Sequence, residues 1–181
     1  MRALALTVAA SAALVSACGG SSGEPRTAPP VSTSPAAASS PAPSGIDAAT
    51  PEGASEFVRF FYAEISRAFQ ARDPEIVRRL VLPTCKTCKL YIDSITGIRD
   101  ENQRFVGGGF AIKFAVAPAD AGSTGTARVD VGFDYAGGQF VDAAGKVLLS
   151  EPAEKNVEEQ VALSRVDGRW KVATVKTVTK K

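Results

Sequence analysis

Two cysteines three residues apart, in Cys85-Lys86-Thr87-Cys88, are the residues of this chain best placed for covalent chemistry. At a helix start the dipole and the flanking Lys86 and Lys89 favour a thiolate on the first cysteine, so thiol–disulfide exchange is open to the pair. The surroundings argue for another role. Dithiol oxidoreductases carry such a motif after a buried strand, whereas here a helical pattern and Pro83 precede it. Outside the cytoplasm a pair so close in sequence is expected to be oxidised, and a disulfide pinning the turn into the next helix is the reading we favour over redox exchange. Metal binding ranks last, since neither a second cysteine pair nor any histidine could complete a zinc site. The absence of histidine also excludes the histidine-dependent serine and cysteine hydrolases and removes the commonest general base.

Other candidates shrink when weighed. Gly107-Gly108-Gly109 precedes a strand pattern, whereas a phosphate-cradling loop follows a strand and opens a helix, so the triplet reads as a bulge or flexible joint. Glu151, Glu154, Glu158 and Glu159 lack the spacing of a calcium loop and read as a solvated edge. The formal charge is +2, and +1 once Arg2 is removed with a leader, which gives no field to favour nucleic acid. The sequence thus assigns no catalytic residue, no cofactor and no metal.

Cys18 supplies an address. It ends the run Leu14-Val15-Ser16-Ala17-Cys18, behind a positive start at Arg2 and an apolar stretch from Ala3 to Val15 that is too short to span a bilayer. The run resembles a bacterial lipobox. That resemblance implies removal of residues 1–17 as a signal peptide and attachment of a diacylglyceryl group to Cys18, which would tether the protein to the extracytoplasmic face of the cell membrane. Two or three acyl chains, at about 0.8 kcal/mol per buried methylene, make a stable anchor where one does not. The alternative is an ordinary secretory signal cut without lipidation.

The anchor must be separated from a fold. Residues 18–50 hold the lipidated cysteine and a linker rich in Ser, Pro, Ala, Gly and Thr, with almost no large apolar side chain to bury. As a flexible coil this stretch spans about 30 Å, and as extended polyproline helix about 100 Å. The folded domain is expected over 51–181. Thr50 caps a first helix with Pro51 at its first position, and Ala54, Phe57, Val58, Phe61, Ile65, Ala68 and Phe69 form an apolar stripe to about Arg72. Asp73-Pro74-Glu75 opens a short second helix that Leu82-Pro83 ends. A third is predicted from about Cys85 to Glu101, burying Tyr91, Ile92, Ile95 and Ile98.

After Asn102 the apolar period becomes two. Phe110, Ile112, Phe114 and Val116 predict the inner face of one strand, and Val129, Val131, Phe133 and Tyr135 that of the next. A hairpin is expected over Gln139–Leu149, a strand over Val157–Val166, and a two-residue turn at Asp167-Gly168 into a last strand to Val178.

Three helices followed by an antiparallel meander, closed by Asp167-Gly168-Arg169-Trp170-Lys171-Val172, resemble the NTF2-like superfamily. The resemblance implies an α+β cone in which a curved antiparallel sheet wraps three N-terminal helices. The lipobox, the Ser/Pro stalk and the Cys-x-x-Cys before the third helix, taken together from Cys18 to about Val178, resemble small actinobacterial lipoproteins of the DUF6318 type, a family that transfers no activity. Some NTF2-like enzymes move a proton with a buried Asp beside a Tyr. Tyr62, Tyr91, Asp93, Asp130 and Tyr135 are the matching types, yet alternation places Asp130 on a polar face and Asp93 away from Ile92 and Ile95. The expected function is non-enzymatic: an anchored envelope domain holding a small apolar ligand or a protein partner. Thiol exchange and proton transfer in the cone remain the enzymatic alternatives.

Overall fold

In the computed structural model, residues 42–178 are described; the signal peptide, Cys18, most of the linker and Lys180 and Lys181 lie outside them. Three helices are followed by seven strands: α1 (Pro51–Ala71), α2 (Glu75–Arg78), α3 (Lys86–Asp100), β1 (Arg104–Gly107), β2 (Phe110–Val116), β3 (Thr126–Tyr135), β4 (Gly138–Val141), β5 (Val147–Glu151), β6 (Glu154–Val166) and β7 (Arg169–Thr177). The expected α+β class is present, with three helices ahead of the strands. Every strand pairing is antiparallel, in a four-stranded sheet β2-β3-β6-β7 and a three-stranded sheet β1-β4-β5.

α1 begins where its chemistry says it must. The Thr50 hydroxyl accepts from the Gly53 amide at 3.1 Å, Pro51 sits in the first turn, and Arg72 ends the helix in the left-handed conformation. Its apolar stripe, buried from Ala54 to Ala68, lies against β2, β3 and β1, and α3 lies against β7. Between α2 and α3 the chain makes one parallel bridge, Val81 to Val172, with the Leu82 amide donating to the Val172 carbonyl at 2.8 Å. That contact draws the helical layer onto β7, and no local apolar pattern announces it.

β2 departs from simple alternation. Its pairing with β3 shifts register between Ile112 and Phe114, so Lys113 is the extra residue of a bulge. Beyond it every side chain changes face. Ala115 is buried, while Phe114 and Val116, expected inside, are 38% and 58% exposed. The Phe114 ring covers Gly132, where a Cβ would lie 2.2 Å from a ring carbon.

β1 was not anticipated as a strand. It pairs with β4 from Arg104↔Val141 to Gly107↔Gly138, and the glycine triplet makes the corner into β2. Gly107 and Gly108 have φ of 89° and 67°, and a Cβ on Gly108 would lie 2.0 Å from the Phe105 ring. Gly108 therefore carries the chain past a ring that no larger residue could face.

At the other end, Val166 pairs with Arg169 around Asp167 and Gly168, both with positive φ, as the two-residue hairpin requires. Trp170 follows, 1% exposed, its Nε1 donating to the Ala48 carbonyl at 2.9 Å. Trp170→Ala should therefore cost about 3–5 kcal/mol, whereas Lys176→Ala, at an exposed position of the same strand, should stay within about 0.5 kcal/mol. Urea unfolding measures both, and equal midpoint shifts would contradict the strand register.

Candidate functional site

A cleft of about 480 Å³ opens between α1, α3 and the inner faces of both sheets. Phe69, Phe105, Phe110, Phe133, Tyr91 and Tyr135 line it. Tyr62 sits beneath them on the buried stripe of α1, with its ring centroid 5.1 Å from that of Phe110 and 5.2 Å from that of Phe133. Phe110 also meets Phe133 edge-on at 5.2 Å and Tyr135 at 5.4 Å. These spacings are those of favourable ring pairs.

Two carboxylates enter this aromatic wall. Glu159 lies on β6 opposite Val131 of β3 and Thr177 of β7, and is 8% exposed. One of its oxygens accepts from the Tyr62 hydroxyl at 2.5 Å, the other from the Thr177 hydroxyl at 3.3 Å. Glu151, at the end of β5, accepts from the Tyr135 hydroxyl. A buried carboxylate without donors would cost several kcal/mol, so Tyr62 and Thr177 are what make Glu159 tolerable in the core.

Glu159 corrects the solvated-edge reading, whereas Glu154 is exposed as expected, although it too lines the cleft. Glu151, Glu154 and Glu159 line the cleft, because β6 starts at Glu154 and places Glu159 on the same inward face as Val161 and Leu163. The signal was present: period two from Val157 puts Glu159 between apolar neighbours, whereas the run of like charges drew the eye to solvent. The structure brings together Tyr62, Tyr91 and Tyr135 from the proton-transfer candidates. It leaves out Asp93, exposed and paired with Lys89 at 2.5 Å, and Asp130, held on the outer face by the Gln160 amide at 2.9 Å.

Cys85 and Cys88 are joined by a disulfide, their residues 1% and 0% exposed. The Cys85 sulfur also accepts from the Cys88 amide at 3.3 Å, so it occupies the N-cap of α3. Closing so short a loop is worth about 2 kcal/mol by chain entropy. With its sulfurs shielded, the pair reads as a pin for the helix that carries Tyr91.

All three tyrosines of the chain face this region. Burial pushes the Tyr62, Tyr91 and Tyr135 hydroxyls well above the ordinary tyrosine range, and the Glu159 and Glu151 carboxylates push the same way. A folded-state value raised above the unfolded one means that the native state holds its protons longer, so stability is full below about pH 10 and falls as pH rises beyond it. Tyrosinate absorbance should show no transition near pH 10 in the native protein and should instead rise together with unfolding followed by circular dichroism. A titration near pH 10 without loss of structure would show the rings to be solvated.

The sequence and the fold were compared with those of known proteins. A family of unknown function, DUF6318, matches residues 30–176. Curated proteins yielded no match. Among solved structures, the intermembrane space region of the chloroplast protein ARC6 is similar in fold, with a TM-score of 0.53 at 10% identity over 72% of this chain and 97% of that one. A putative scytalone dehydratase from Novosphingobium aromaticivorans follows at 0.44, with 14% identity over 67% of this chain and 82% of that one. A putative polyketide cyclase from Pseudomonas putida gives 0.37, with 18% identity over 70% and 91%.

Proposed function

The chain belongs to the DUF6318 family of unknown function and has an α+β fold similar to that of the ARC6 intermembrane space region, and from that premise we propose that it is a lipid-anchored envelope protein whose NTF2-like domain holds a small ligand with an apolar body. The observation that carries this reading is the cleft itself. At about 480 Å³ it is within the usual range of ligand sites, and its aromatic walls leave it open. The lipobox at Cys18 and the Ser/Pro stalk support the membrane tether, with the cleft held away from the bilayer by the linker.

A second reading has one specific observation in its favour: Glu159 is a buried carboxylate beside a tyrosine, the pairing a proton-transfer enzyme needs. Both of its oxygens already accept hydrogen bonds, from Tyr62 and Thr177. To remove a substrate proton it would have to release one of them, so binding is the simpler use of the same geometry. Thiol exchange draws no support from two shielded sulfurs.

Protein extracted from its native membrane and sprayed without denaturation should carry a small-molecule adduct. Ser94→Trp, at an exposed rim position of the cleft, should remove that adduct while circular dichroism stays unchanged. An unliganded wild type, or an adduct indifferent to Ser94→Trp, would refute the ligand reading. For the tether, Cys18→Ala should abolish labelling by a fatty-acid probe; equal label on both proteins would refute the lipid anchor.

A further inference from the structure

Resting on the ligand reading and narrowing it, we propose that the cleft takes an organic cation, an ammonium group carried on an apolar body. Glu151, Glu154 and Glu159 line the cleft, and no Lys or Arg does. Among the described residues none of these three carboxylates forms an ion pair with a Lys or Arg. An anionic ligand would therefore meet like charge with nothing to offset it.

The hydrogen-bond inventory points the same way. Tyr62 and Thr177 donate to Glu159, and Tyr135 donates to Glu151, so each of these three hydroxyls has its one proton engaged within the wall. What they and the carboxylates still offer is lone pairs. Tyr91 and Ser94 also line the cleft with hydroxyls that can donate, so it is the three carboxylates, with no Lys or Arg beside them, that select a ligand bringing positive charge.

The rings complete the match. Phe110, Phe133 and Tyr135 line the cleft together with the carboxylates, and an ammonium held against an aromatic ring gains cation–π attraction in addition to its charge pairing. A metal ion fits less well, because among the described residues no three His, Cys, Asp or Glu side chains converge as ligands.

The test uses three probes of one shape class on the full chain, followed by calorimetry and by ring resonances of Tyr and Phe: benzyltrimethylammonium, its neutral carbon analogue neopentylbenzene, and the anion phenylacetate. The cation should bind about tenfold or more tighter than the neutral analogue, and phenylacetate should not bind. Glu159→Gln should bring cation and neutral analogue to near-equal affinity. Glu151→Gln, at the end of β5 and outside the core, should narrow the gap in the same direction, and it carries the test where Glu159→Gln does not fold. Neutral binding as tight as cation binding would overturn the cation inference and leave the ligand reading standing. Failure of all three probes would overturn the cation inference, while the ligand reading stands or falls on the native adduct. A cation preference untouched by either glutamine variant would also overturn the inference, because the selecting charge would then lie elsewhere.

Discussion

The hydrogen bond from Tyr62 to Glu159 is the constraint around which the cone is arranged. It joins the buried stripe of α1 to the centre of β6, 97 residues later in the chain, and places a carboxylate among aromatic rings. Thr177 of β7 provides the second donor, so one side chain ties the centre of β6 to both α1 and β7. Loss of either donor would leave a shielded acceptor short of a partner, which costs more than the bond itself contributes.

Backbone irregularities set where the walls stand. The bulge at Lys113 lets Phe110 and Ile112 face inward and sends Phe114 to the outer surface, with Ala115 taking the inward position beyond it. A second register shift, between Phe133 and Tyr135 of β3, occurs beside Asn156 with its φ of 53°. It frees Tyr135 to reach Glu151 on the neighbouring sheet. Asp134, at the same shift, accepts from the Asn156 amide at 2.9 Å and pairs with Lys113 at 2.6 Å, which holds its carboxyl well below the usual range. Both bulges thus meet at one exposed cluster on the outside of the sheet, opposite the cleft they shape.

The sequence was most legible where local physics decides. Thr50-Pro51-Glu52 placed the start of α1, Asp167-Gly168 placed the last hairpin, and the stripe from Ala54 to Ala68 found the core face, because caps, turns and periodicity are written in neighbouring residues. Tyr62, Tyr91 and Tyr135 were recognisable as candidate types. Phe114 and Val116 misled because a bulge inverts alternation without changing composition. β1 was obscured by the glycines that follow it, whose role depends on a Phe105 ring fitted against Gly108 and Gly138. Glu159 was hidden for a different reason: a charged side chain is assigned to solvent unless its donors are known, and Tyr62 lies 97 residues away.

The disulfide belongs to the same design. α3 carries Tyr91 and Leu90 to the cleft but has modest burial, with Cys88, Ile95 and Ile98 as its buried residues. A helix so lightly held would swing at its N-terminus and widen the cleft. Three links oppose this: the Cys85–Cys88 bond with its cap on the Cys88 amide, the Thr87 hydroxyl donating to the Val175 carbonyl at 3.2 Å, and the Leu82 amide bound to Val172. The disulfide holds the first turn of α3 together, and the Thr87 and Leu82 hydrogen bonds fix that turn to β7, the strand that also presents Thr177 to Glu159. The covalent pair that first looked like the chemistry of this chain is therefore part of the frame, and the groups able to meet a ligand are the glutamates and rings that this frame holds apart.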